Sequence, residues 1–179
     1  MAHEIFDKAV DAGQRLRDEC DAARSVLDDP RAAVSPEAAL ARLTEGNARY
    51  VAGASRGADH AAGRVERARG QAPFAALVSC ADSRVAAEII FDQGLGDMFV
   101  VRTAGHVMDS AVLGSLEYAA EILEVPLIVI LGHDSCGAVT ATRESVRSGE
   151  MPRGFQRSLV ERIMPAVLDS QRAGRDSVD

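Results

Sequence analysis

An α/β fold with a parallel β-sheet core flanked by helices is predicted by three observations. From Phe74 onward, short continuously apolar segments appear. They alternate with stretches of helical periodicity, and the chain before them reads as helices and a loop. In chain order, residues 3 to 27 form an amphipathic helix, with Ile5, Phe6, Ala9, Val10, Leu16, Ala23, Val26 and Leu27 recurring among charges until Asp28-Asp29-Pro30 stops it. Ser35 as N-cap, Pro36 at the first helical position and Glu37 in the first turn announce a second helix, which Gly53 ends. Residues 54 to 71, rich in Gly, Ala and Arg, read as a loop and a short helix. Strands follow at Phe74 to Ser79, Met98 to Val101 and Leu127 to Leu131. Between the last two, Ser110 caps a helix through Leu123. Further helices start near Gly137 and span Phe155 to Leu168, and a polar tail from Ser170 to Asp179 closes the chain.

The division expected is an N-terminal helical arm at 1–34, one α/β domain at 35–170, and a polar tail at 171–179. Length and composition agree: 179 residues, 47% of them apolar and 26% charged, suit a single core. Acidic residues outnumber basic ones by 27 to 20, and the basic ones are scattered, which speaks against nucleic-acid binding. The longest apolar run, Val125 to Leu131, is interrupted by Pro126 and falls far short of the roughly 20 residues a membrane span needs. Glu4, Asp7 and Lys8 at the start leave no room for a secretory signal, so a cytoplasmic location is expected. Three cysteines are too few for a disulfide framework.

Chemistry concentrates at two strand ends. The first strand runs into Cys80-Ala-Asp82-Ser-Arg84 and the third into His133-Asp-Ser-Cys136. Neighbouring strands of a parallel sheet bring their carboxyl-terminal loops together, so two thiols, an imidazole and a carboxylate meet in space. That set of soft and borderline donors suits tetrahedral Zn²⁺. Cys136 also precedes a helix, whose unpaired N–H groups and dipole favour a thiolate. Each short motif alone is weak, and the plain alternative is two ordinary buried thiols and a core histidine. A bidentate guanidinium two residues away can hold the Asp82 carboxylate off the metal, leaving a position open for water. His106 reads as a surface histidine near the mouth of the site, with a proton-relay role as the sharper alternative. Phe91, Phe99 and Val85 read as core more than as pocket lining, and Gln93 is left outside the site. The two thiols are not in a C-x-x-C arrangement, which weakens a redox role.

The chain resembles the β-class carbonic anhydrases over about Ala39 to Leu168. The motifs are Cys80-Ala-Asp-Ser-Arg84, Gly96-Asp-Met-Phe-Val-Val-Arg-Thr-Ala-Gly105, Ser115-Leu-Glu-Tyr118 and Leu131-Gly-His-Asp-Ser-Cys-Gly-Ala138. The resemblance implies Zn²⁺ held by Cys80, His133 and Cys136, with Asp82 either filling the fourth metal position at rest or swinging to Arg84. It also implies zinc-dependent reversible hydration of carbon dioxide to bicarbonate and a proton, by homodimers or larger homo-oligomers. Hydrolysis of carbonyl sulfide or carbon disulfide is the alternative with the same chemistry, and a zinc-stabilised non-catalytic assembly subunit the alternative of another class. Two departures stand out. Only three strands are expected where the family has at least four, and the N-terminal helix is longer than the family's usual arm, placed to cover a strand edge or clasp a partner.

Overall fold

The computed structural model describes residues 34–57, 61 and 63–175. The expected helix at 3 to 27, with Cys20, lies outside the described residues.

Ser35 caps helix α1 (Pro36–Val51) as predicted, its hydroxyl accepting the Ala38 N–H at 3.2 Å. A single turn, α2 (Arg64–Arg67), precedes strand β1 (Ala75–Cys80). Then come the one-turn helix α3 (Ala87–Ile90), which periodicity is too short to reveal, and strand β2 (Met98–Thr103). After a 3₁₀ turn at Ala104–His106, α4 (Ser110–Glu117) runs into a π-helical turn at Tyr118–Ile122. Strand β3 (Ile128–Leu131) and helices α5 (Gly137–Ser148) and α6 (Gln156–Arg172) complete the order.

Two expected helix ends shift. Asp109, not Ser110, caps α4: its Oδ1 accepts the N–H groups of Ala111 and Val112, each at 3.0 Å, and Ser110 becomes the first helical residue. A carboxylate reaching two orphan donors at once makes the stronger cap. The last helix continues past Leu168 to Arg172, because Gln171 and Arg172 are good helix formers and Arg172 Nη1 pairs with Asp169 Oδ1, one turn back, at 3.2 Å.

The sheet is parallel, three-stranded and ordered β2-β1-β3, with β1 in the middle. All six β1 residues are buried. One face packs Ala75 against Ala39, Leu43 and Phe74, and the other packs Ala76 against Ala119, Leu123 and Val125. The expectation of strands buried on both faces therefore holds for β1 alone. In β3, Ile128 and Ile130 are 45% and 71% exposed, because an edge strand has a neighbour on one side only and no described helix covers that face.

Helix α1 docks on the α3–β2 loop at very short range. Gly46 is buried there, and a Cβ at that position would lie 1.8 Å from the Phe91 carbonyl oxygen. Around it, Asn47 Nδ2 donates to Ile90 O at 2.9 Å, and Arg42 Nε donates to Gln93 Oε1 at 3.0 Å. Gln93 thus belongs to this junction. Gly46→Ala must push two backbones apart, and a loss of about 3 kcal/mol in urea unfolding is expected. Wild-type stability in that variant would contradict the docking.

Candidate metal centre

Cys80 is the last residue of β1, and Cys136 is the N-cap of α5. The β1–β3 pairing carries both loops to the same end of the sheet, and both thiols are buried. Their sulfurs stand 3.9 Å apart, too far for a disulfide. One donor atom each from Cys80, His133 and Cys136 lies within 4.8 Å of the other two.

The imidazole is oriented by its own loop. His133 Nδ1 sits 2.8 Å from the Asp134 carbonyl oxygen, and a carbonyl can only accept, so the proton is on Nδ1. In the neutral ring, Nε2 then carries the lone pair. That atom is buried with no hydrogen-bond partner. An orphaned buried acceptor costs free energy unless something fills its place. A tetrahedral centre with metal–sulfur bonds near 2.3 Å sets its two sulfurs about 3.8 Å apart, close to the separation found here. Two thiols and a bare imidazole nitrogen at these distances fit a borderline divalent metal.

Electrostatics favours the ligating form of Cys80. Burial pushes its thiol up, but the His133 ring, the Gly105 and Asp82 main chain and the Cys136 thiol together bring it down from 9.0 to about 7. The Gly105 N–H donates to Cys80 Sγ at 3.4 Å, from a residue with φ of 66°. That left-handed backbone suits glycine, and a Cβ here would lie 2.5 Å from Ile163 Cδ1.

Asp82 and Arg84 form a fork. Arg84 Nε donates to Oδ1 at 2.9 Å and Nη2 to Oδ2 at 2.7 Å, while the Arg84 main-chain N–H donates to Oδ1 at 2.9 Å. The Arg84 side chain and backbone hold the Asp82 carboxyl well below the usual carboxylate range, against the effect of burial. The pairing raises the arginine in turn. Asp82 is thus turned to Arg84 and stands apart from the three converging donors, in the second of the two positions the resemblance allows.

His106 is a correction. It is half-buried, with φ of 57°, and its Nε2 donates to the Leu131 carbonyl at 2.6 Å. Its ring centroid lies 5.9 Å from that of His133. The turn after β2 folds back over the end of β3, which takes this histidine off the surface. Phe91 and Phe99 pack in the two core clusters, as expected. One residue the sequence reading passed over is Arg102. It sits in β2, and its side chain donates to the carbonyls of Cys80 and Asp82. A charge inside the apolar run Phe99-Val-Val-Arg-Thr was the signal that could have found it.

Fold and donor set together define an α/β protein with a metal-capable centre at the carboxyl ends of adjacent parallel strands. A family model described as carbonic anhydrase matches residues 75–178. Carbonic anhydrase 2 of Mycobacterium tuberculosis (strain H37Rv) is 60% identical over 149 residues, covering 81% of this chain and 70% of that protein. The carbonic anhydrase of Mycolicibacterium smegmatis is 56% identical over 149 residues, covering 81% and 71%. Among solved structures, a β-carbonic anhydrase of Coccomyxa in complex with acetazolamide superposes with a TM-score of 0.56 at 27% identity. That match spans 75% of this chain and 60% of the Coccomyxa chain. The chain belongs to the carbonic anhydrase family, in its β class. Family membership makes it an enzyme of the carbonate dehydratase type.

Proposed function

We propose that this chain catalyses the reversible hydration of carbon dioxide to bicarbonate and a proton, with Zn²⁺ held by Cys80, His133 and Cys136 and with Asp82 and Arg84 as the catalytic pair. The observation that carries this reading is the Asp82–Arg84 fork standing beside three converging soft donors. Bound there, Zn²⁺ supplies an electrophilic centre that lowers the pKa of water and so provides a nucleophile near neutral pH.

The chain's own residues do the rest. Cys80, Cys136 and His133 are held in place by the strand end, the helix N-terminus and the Asp134 carbonyl, which keeps their donor atoms converged. Arg84 keeps the Asp82 carboxylate turned aside, which leaves a fourth position to water and substrate. An ionised carboxylate offers about four lone-pair directions. Arg84 occupies three of them, two on Oδ1 and one on Oδ2. The remaining direction on Oδ2 accepts a hydrogen from the nucleophile and orients it toward the substrate carbon. Stopped-flow measurement with carbon dioxide, and in parallel with carbonyl sulfide, tests the proposal. Faster carbon dioxide hydration than background is expected; one zinc per chain without hydration would favour an assembly role instead.

Zinc uptake by the metal-free protein is expected to weaken as the pH falls below about 7. Protons compete for the thiolates, Cys80 titrates near 7, and a His133 pKa raised chiefly by Cys80 adds a second proton to displace. Competition against a chelator at pH 8 and pH 6 measures this, and equal affinity at both would contradict the ligand set.

The active species is expected to be a homodimer or a larger homo-oligomer. Ile122, Ile128 and Ile130 are 63%, 45% and 71% exposed on and beside the β3 edge. An open strand edge flanked by apolar side chains calls for a cover. A structural relative from Sordaria macrospora is described as tetrameric; at 24% identity that likeness speaks for the fold alone. Light scattering showing a monomer would contradict the expectation. The division into an arm at 1–34, a zinc domain at 35–170 and a tail at 171–179 is part of the same proposal. No described helix is long and apolar enough to cross a membrane. A pair of thiols that must stay reduced favours a reducing compartment, the cytoplasm.

A further inference from the structure

Arg102 lies in β2 opposite Ser79 of β1, one residue before the pair Cys80 and Thr103. Its Nε donates to the Cys80 carbonyl at 2.9 Å, and its Nη2 to the Asp82 carbonyl at 2.5 Å. The same Cys80–Ala81 peptide is held from its other side, where the Ala81 N–H donates to Thr103 O at 2.9 Å. The Asp82 carbonyl also accepts the Val85 N–H at 3.2 Å, closing a turn over residues 82–85. Two planar peptides, one on each side of the Ala81–Asp82 link, are therefore fixed, and with them the direction in which the Asp82 side chain leaves the backbone. Arg102 is half-buried, and among the described residues no carboxylate forms an ion pair with it. A guanidinium withdrawn from water costs free energy, and here its recorded return is the two carbonyl bonds. Lysine cannot replace it, because a point charge on a flexible stem does not span two oxygens as a planar fork does.

The geometry points to Arg102 as the positioning residue that keeps the Asp82 carboxylate on Arg84 and off the Cys80–His133–Cys136 triangle. It acts through the main chain and makes no recorded bond to the carboxylate itself. The inference rests on the function proposed above. Arg84 holds the end of the Asp82 side chain; Arg102 holds its base. Without the base, Asp82 becomes free to turn and complete a four-ligand centre.

The test is Arg102→Met, which removes the donors, with Arg102→Lys as the variant that keeps charge and fold. Zinc is expected at the wild-type level in both, and the kcat of hydration about tenfold or more below wild type. The deciding readout is the visible spectrum of the Co²⁺-loaded protein on titration with azide. Wild type is expected to shift its spectrum as azide enters the open fourth position. Arg102→Met is expected to need at least about ten times more azide, with Arg102→Lys intermediate, because Asp82 now competes for that position. Adding Asp82→Ala to Arg102→Met should restore the wild-type response, which general loosening of the loop would not do. An azide response equal to wild type in both single variants overturns the role of Arg102, as does loss of metal from Arg102→Lys. Absence of any azide response in the wild type overturns instead the open-site reading beneath it.

Discussion

Cys136→Ser is expected to lose zinc, with affinity down by more than about a hundredfold and hydration falling with the occupied fraction. The thiolate is one of three protein donors, and the hydroxyl that replaces it does not ionise near neutral pH. Burial adds to the effect. Both sulfurs are closed off from solvent, so no water can easily stand in for the missing ligand. The position is also fixed by the helix, since Cys136 is the N-cap of α5 and its carbonyl accepts the Thr140 N–H at 2.9 Å. The backbone therefore does not shift to bring another donor in. Cys80→Ser is expected to behave alike. Elemental analysis after dialysis against a weak chelator checks both, and unchanged zinc in either would remove that cysteine from the centre.

Arg84→Ala is expected to separate metal binding from catalysis. It should keep one zinc per chain while hydration falls by about two orders of magnitude or more. The side chain supplies two of the three hydrogen bonds that hold Asp82 aside. What remains is the main-chain N–H bond at 2.9 Å, which fixes Oδ1 alone and leaves Oδ2 free to swing. An anionic carboxylate with a divalent metal nearby and no guanidinium to hold it becomes a ligand. The Arg84 side chain is mostly exposed, so its loss leaves no cavity and the fold should tolerate it. Activity near wild type with zinc retained would contradict the gate.

The site was legible in the sequence because its residues sit where pattern reading is strongest. Continuous apolar segments located β1 and β3, their carboxyl ends followed, and Cys80, Asp82, Arg84, His133 and Cys136 lay within the next few positions. Most of what escaped depended on neighbours distant in sequence. Ile128 and Ile130 look like core residues until the sheet order puts β3 at an edge. His106 looks like a surface residue until the turn after β2 folds it over the Leu131 carbonyl. Arg102 lay inside a recognised motif, but its role depends on the β1–β2 register, which no local pattern encodes. The Asp109 cap was missed by one residue, because Asp and Ser are both good caps and only geometry chooses between them.

Zinc held by Cys80, His133 and Cys136 is proposed to make this chain a hydratase of carbon dioxide. The most direct measurement returns zinc stepwise to metal-free protein and follows the stopped-flow hydration rate at each occupancy. The rate should start at the uncatalysed background, rise in proportion to bound zinc, and level off at one zinc per chain. A rate that stays at background when the centre is full, or that is present before zinc is added, would contradict it.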